Sequence, residues 1–331
     1  MESAIDDPLD VLLRRSWHAV ATVDEVGTGP LSVTLLDRAL VLVRLDEAIS
    51  AFDDQCPHRG AALSLGWVSG SCLVCPYHGW HYGSDGACVR IPSLDDGGRA
   101  PSRAHLRSYP VSVHLGLVWV ALEDPVLGLP EFAELTDPDM HVVACPPYSW
   151  DCHATRRLEN FLDFAHFPWI HPGILGDPTH PLVPAHTVAQ QGQEIHVHQT
   201  RIEPANDDVK TGGLGIGDTV TSEMDYRVQL PLTAQLHQLL PGGRRYAVWL
   251  TVSPVGAARA RTFWFVARNY ALDDDDEKFV RFQQDVVAQD RPIIESQRPR
   301  RIPFALSDEL HVRDDKVVLA YRRALLEYAQ S

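Results

Sequence analysis

The sequence predicts an α+β protein: a small all-β domain first, then a larger domain of antiparallel sheet with helices packed against it. Three observations carry this. Short apolar runs separated by Gly, Pro and Ser fill the first 125 residues. A Pro-rich acidic stretch, EDPVLGLPEFAELTDPDM (123–140), then interrupts the pattern. Beyond it, long alternating runs are mixed with helical periodicity.

Taken in order, LSVTLL (31–36) and ALVLVRL (39–45) flank Asp37-Arg38 and read as a hairpin. HLGLVWVAL (114–122) reads as one further strand. In the second part, LENFLDFAHF (158–167) reads as a helix. TVTSEMDYRVQL (219–230), RRYAVWLTV (244–252) and RARTFWFVARN (259–269) read as long strands. Residues 275–290 and KVVLAYRRALLEYA (316–329) read as amphipathic helices. The chain's 331 residues suit two domains, placed at 16–125 and 141–331 with 126–140 as the connection.

Composition excludes several function classes. The formal net charge of −15 argues against a nucleic-acid partner, whose phosphates would be repelled. No stretch approaches the roughly 18 apolar residues that span a bilayer. The N-terminus, MESAIDDPLDVLLRRSW, lacks a basic segment followed by an apolar run, so a cytoplasmic protein is expected. In that compartment six cysteines read as core residues, metal ligands or nucleophiles rather than disulfides. GGLGIG (212–217) departs from the dinucleotide-binding spacing and reads as a loop.

The chemistry concentrates in two places. Residues 56–80 carry Cys56-x-His58, sixteen residues, then Cys75-x-x-His78. Two thiolates and two imidazoles on two loops suit either structural zinc or a [2Fe–2S] cluster with two Cys on one iron and two His on the other. One Cys and one His per loop favours the cluster, since two loops then close over one core from opposite sides. CPHRG followed by LVCPYHGW closely resembles the two cluster loops of the Rieske family, with SWHAVA (16–21) before them and GLVWVAL (116–122) after.

The second place is LENFLDFAHFPWIHPG (158–173), which spaces Asn160, Asp163, His166 and His171. On a helix, 160, 163 and 166 share a face, and Pro168 interrupts the helix so that His171 folds back toward His166. Two imidazoles and one carboxylate form the facial triad of non-haem Fe(II). Downstream, FVRFQQDVVAQDRPIIESQRPR (279–300) offers Asp285, Asp290 and Glu295. Helical spacing puts Asp290 with Phe279, Phe282, Val286, Ile293 and Ile294, facing the core. Asp285 goes to the polar side with Gln284 and Gln289. A buried salt bridge to an arginine is the structural alternative for Asp290.

Asn-x-x-Asp-x-x-His-x₄-His resembles the iron-binding stretch of the Rieske non-haem iron oxygenases, and QDRPIIESQRP (289–299) resembles the segment that carries their third ligand. The resemblance implies a Rieske domain followed by a helix-grip-like catalytic domain. It implies one [2Fe–2S] cluster on Cys56, His58, Cys75 and His78, and one mononuclear iron on His166, His171 and Asp290. It also implies that Asp163, beside Asn160, links His166 to His78 of a neighbouring subunit, which demands a ring such as a homotrimer. The chain has no reductase part, so a separate ferredoxin or reductase would bring electrons from NAD(P)H.

The reaction implied is O₂-dependent oxygenation of a small organic substrate. The chain resembles the single-subunit group of dicamba and vanillate demethylases and saxitoxin-pathway oxygenases. DFAHFPWIHPGILGD (163–177) and ELHVRDDKVVLAYRRAL (309–325) resemble the last set most. Hydroxylation of a natural product is therefore preferred over N- or O-demethylation or ring dioxygenation by the same mechanism. An electron-transfer Rieske protein with an extra domain is the reading from another class. For the pocket, Phe263, Trp264, Trp249 and His237 lie on strands able to line it, and alternation lets only about half face inward.

Overall fold

The structure is a computed structural model that describes residues 7–94, 99–204 and 219–330. The chain divides into two compact units: Leu13–Leu129, and Pro130–Ser331 together with the N-terminal Met1–Leu12. Helix α1 (Pro8–Arg14) opens the described chain.

The described residues of the Leu13–Leu129 unit form eleven strands. These are β1 (His18–Thr22), β2 (Leu31–Leu35), β3 (Arg38–Leu45), β4 (Ala48–Asp53), β5 (Trp67–Ser69) and β6 (Cys72–Val74), then β7 (His81–Tyr82), β8 (Cys88–Arg90), β9 (Ser108–Tyr109), β10 (Val111–His114) and β11 (Leu117–Val120). They form three antiparallel sheets in the orders β1-β11-β10, β2-β3-β4-β9 and β5-β6-β7-β8. Strand β3 explains its own unbroken apolar sequence, because both its faces are buried. Leu40 and Leu42 enter a core with Leu35, Val118 and Val120, while Val41 and Val43 enter a second core with Phe52, Leu73 and Tyr82.

Two turns differ from the sequence expectation. The β2–β3 turn falls on Leu36 and Asp37, both at positive φ, with Leu35 opposite Arg38. It is one residue earlier than expected, and the two consecutive positive-φ residues are those of a type I′ turn. The stretch 114–122 is not one strand. Leu115 and Gly116, at φ 52° and 70°, turn β10 back into β11.

The second unit carries a seven-stranded antiparallel sheet. Its strands are β12 (His141–Trp150), β13 (His186–Gln191), β14 (Glu194–Pro204), β15 (Thr219–Gln229), β16 (Thr233–Leu240), β17 (Arg244–Gly256) and β18 (Arg259–Arg268), in the order β12-β18-β17-β16-β15-β14-β13. Between β12 and β13 lie α2 (Ala154–Leu162) and the short α3 (Phe167–Ile170). After the sheet come α4 (Asp276–Ser296) and α5 (Lys316–Gln330). The segment following Pro130 is tied to this unit: Phe132 lies 6.1 Å from both Trp249 and Phe265, ring centre to ring centre. Residues 212–217 lie outside the described residues.

The helix expected over 158–167 stops at Leu162. Asp163 is extended (φ −89°, ψ 115°), and its Oδ1 accepts the Ala165 N–H at 2.9 Å. That local bond competes with helix continuation. Pro168 therefore starts a new helix rather than interrupting the old one, and His166 caps it. Asn160, Asp163 and His166 do not share one helical face. Helix α4 is longer than expected and runs through Pro292 to Ser296. Phe279, Val286, Asp290 and Ile294 are buried along it, but Ile293 is exposed to solvent.

Candidate metal centres and substrate cavity

The loops at Cys56 and Cys75 have the same backbone wiring. Cys56 N donates to Ala61 O and Gly60 N to Cys56 O; Cys75 N donates to Trp80 O and Gly79 N to Cys75 O, all at 2.8–3.0 Å. Gly60 and Gly79 sit at φ 73° and 67°, where a side chain would be strained. The two sulfurs are buried, His58 is half-buried and His78 is exposed. The His58 and His78 rings are 4.5 Å apart, and His58 stacks on Trp80 at 4.4 Å.

These four residues fit a cluster. All six cysteines are free thiols. Burial and the neighbouring Cys56 thiol hold the Cys75 thiol above its ordinary value, while the Tyr77 and His78 backbone N–H groups aimed at its sulfur oppose them. His58 Nδ1 is buried with no hydrogen-bond partner, so a lone pair is held in reserve there. Tyr82 was not anticipated from the sequence. Its hydroxyl lies 3.1 Å from Cys56 Sγ, and burial together with that sulfur raises its pKa, which keeps it a donor.

In the second unit, His166, His171 and Asp290 place one ligand atom each within 4.8 Å of one another, the one such group among the described residues. His166 Nε2 is 3.4 Å and His171 Nε2 3.1 Å from Asp290 Oδ1. His171 Nδ1 donates to Gln289 Oε1 at 2.7 Å, so Nε2 carries a lone pair. That atom is buried and hydrogen-bonded to nothing. A lone pair facing a carboxylate oxygen at this separation calls for a cation between them. Burial alone would push the Asp290 carboxyl up, but His171, His166 and Arg157 outweigh it and hold the group below its ordinary value. The carboxylate is thus kept ionised, and two imidazoles with one carboxylate are a donor set that suits a divalent metal.

The other two residues of the stretch are placed differently. Asn160 is buried, and its Oδ1 accepts from Arg157 Nη1 at 3.1 Å. Asp163 is half-exposed and 3.8 Å from His166 Nδ1, beyond hydrogen-bond reach. Of the rejected carboxylates, Asp285 is exposed, while Glu295 accepts from Arg291 and from the Asp151 N–H. Gln289 is the residue that helical periodicity misassigned. It was expected on the polar side, yet it holds His171 across 118 residues of sequence.

A cavity of about 750 Å³, its mouth included, opens onto His166, His171 and Asp290. Its sheet wall comes from alternate residues paired across strands: Tyr226 opposite Leu236, Leu236 opposite Val248, and Leu250 opposite Trp264. Of the four pocket candidates only Trp264 lines it. Trp249 points to the opposite face with Phe265, His237 pairs with Glu134 at 2.6 Å, and Phe263 packs under Arg261. Polar groups are few and paired, such as Gln283, whose Nε2 donates to Tyr246 Oη at 2.9 Å.

Comparison with known proteins adds the following. The Rieske [2Fe–2S] domain family matches residues 16–110, and the vanillate O-demethylase oxygenase C-terminal domain family matches residues 150–331. Methylxanthine N1-demethylase NdmA of Pseudomonas putida is 36% identical, covering 100% of this chain and 93% of that protein. Methylxanthine N3-demethylase NdmB of the same organism is 35% identical, covering 94% and 88%. The structure of P. putida NdmA with caffeine superposes with a TM-score of 0.87 at 33% identity, covering 98% of this chain and 93% of that one.

Proposed function

Because this chain belongs to the Rieske non-haem iron oxygenases, as their O₂-using catalytic component with a [2Fe–2S] cluster, a mononuclear iron and a separate electron donor, we propose that its reaction is N- or O-demethylation of a small methylated aromatic or heterocyclic substrate. The observation that carries this reading is the cavity: a mostly apolar, aromatic chamber closing on His166, His171 and Asp290. In relatives matched over nearly their whole length, the named activity is removal of an N-methyl group from a methylxanthine. Demethylation thus takes precedence over the natural-product hydroxylation expected from sequence, although both begin with oxygen insertion into a C–H bond.

We assign the cluster to Cys56, His58, Cys75 and His78, and the mononuclear iron to His166, His171 and Asp290. When bound, the two centres supply single electrons and O₂ activation. The chain's own residues do the rest. Gln289 fixes the His171 tautomer, leaving Nε2 free to ligate. The apolar wall excludes water and orients a flat ring. A methyl group hydroxylated beside nitrogen or oxygen then leaves as formaldehyde. We further assign Asp163 to a link between His166 and a cluster histidine of a second copy, which its half-exposed position permits. The assembly would be a closed ring, with a homotrimer as the proposed size. No helix among the described residues is long and apolar enough to cross a membrane, and a cytoplasmic place near an NAD(P)H-fed carrier suits the free cysteines.

The test supplies the iron-loaded protein with a reductase, O₂ and a panel of N-methyl heterocycles and methoxyarenes. The expected result is formaldehyde matched one-to-one by demethylated product. Hydroxylated product without formaldehyde would return the reading to hydroxylation. No O₂ uptake with any substrate would sink both.

A further inference from the structure

Five arginines are almost fully buried among the described residues: Arg156, Arg157, Arg201, Arg268 and Arg322. Four of them meet a carboxylate within 4.0 Å. Arg156 and Arg322 share Glu159 at 2.9 and 2.5 Å, Arg268 reaches Asp276 at 2.7 Å, and Arg201 lies 3.6 Å from Glu203. Arg157 is the exception. It is 3% exposed, and all its described hydrogen bonds go to neutral groups: Nε and Nη2 to Tyr148 Oη at 2.8 and 2.6 Å, and Nη1 to Asn160 Oδ1 at 3.1 Å. The Trp150 ring lies 4.8 Å from its guanidinium carbon.

This is an unusual way to bury a cation, since an unpaired one is costly. The guanidinium is held rigidly by two rings and three hydrogen bonds, yet no carboxylate lies within ion-pair distance of it, and it acts on Asp290 only from farther away. Five N–H groups are available and three are used. Arg157 also lines the cavity that holds the iron ligands. Asp290 lies beyond ion-pair distance and has its own partners in His166 and His171. A divalent metal there, with Arg157 and the two lining carboxylates Asp290 and Glu203, still leaves the chamber net positive.

Resting on the demethylase reading, we propose that Arg157 anchors the substrate through an acceptor oxygen, either a ring carbonyl or a carboxylate, and so selects oxygen-bearing rings over their unsubstituted counterparts. The neutral partners pre-orient the guanidinium fork, and the aromatic wall receives the rest of the ring. The recognised feature is the negative end of a dipole or a full negative charge, which a planar guanidinium grips through two donors.

The experiment measures binding by calorimetry on the iron-loaded protein without O₂, so that turnover does not enter. The probes are two matched pairs: 1-methylbenzimidazol-2-one against 1-methylbenzimidazole, and 4-methoxybenzoate against 4-methoxytoluene. In the wild type at least one oxygen-bearing member should bind tenfold or more tightly than its partner, about 1.4 kcal/mol, and which one identifies the acceptor. Arg157→Met should erase the preference while leaving the partner that lacks the carbonyl or carboxylate within about twofold. Should that variant not fold, Arg157→Lys, a point charge without the fork, should reduce the preference below threefold. The proposal is overturned if neither oxygen-bearing member is preferred in the wild type, if the preference survives substitution, or if both members of a pair weaken equally. Formaldehyde release from any methylated substrate can succeed while this fails, so the two conclusions fall separately.

Discussion

Replacing Tyr82 with Phe removes one hydroxyl beside the Cys56 sulfur and changes little else, because the ring stays in a fully packed core. The hydroxyl sits 3.1 Å from Sγ. A hydrogen bond to a charged acceptor contributes roughly 1.5–3 kcal/mol. Reduction adds negative charge to the cluster and its thiolates, so the bond is stronger in the reduced state. If it strengthens by about 1 kcal/mol, the corresponding shift for one electron is about 40 mV, since a tenfold change in equilibrium, about 1.4 kcal/mol, is 59 mV. The sign follows: the donor favours the reduced form, and Tyr82→Phe lowers the potential. The assay is a potentiometric titration followed by the cluster's circular dichroism. An upward shift, or one below about 10 mV, would refute the argument that this hydroxyl serves the cluster.

Three further outcomes are expected. Gln289→Leu should weaken mononuclear iron binding by roughly 10–100-fold, read by competition with a chelator, while cluster absorbance stays unchanged. Asp163→Ala should keep both metals, counted by iron analysis, and lose turnover; full activity would remove the link between subunits. Glu159→Gln strips one of the two carboxylates, Glu159 and Glu309, that buried Arg156 and Arg322 share; with Glu309 still paired, the second unit should lose less than the roughly 3–5 kcal/mol of a fully unpaired buried charge. Denaturant unfolding followed by far-ultraviolet dichroism would measure it.

The pairing of the two Cys–His loops was readable in the sequence because their pattern is local. Each needs a thiol, an imidazole and a glycine within five residues, and the structure repeats one hydrogen-bonding scheme in both. The fold class was legible for a related reason, since alternation along β15, β17 and β18 sets which side chains face the cavity. What sequence did not give depended on long-range partners. Gln289 lies off the apolar stripe of α4, and nothing local announces that His171 arrives from 118 residues away. Arg157 fell outside the helix expected over 158–167 and drew no reading, and only the absence of a carboxylate within ion-pair distance sets it apart. The helix at 158–167 was overextended because its apolar spacing continues past Leu162, whereas the Asp163 side chain bonds to the backbone two residues on and ends it.

The uneven exposure around the paired loops has its own consequence. Cys56 and Cys75 are sealed inside, while the His78 ring meets solvent. Charge entering or leaving such a centre has a short route through the imidazole side and a longer one through packed hydrocarbon on the sulfur side. Electron exchange would therefore depend on the face approached, and a carrier docked on the sulfur side would transfer more slowly than one at the imidazole side, however tightly it bound.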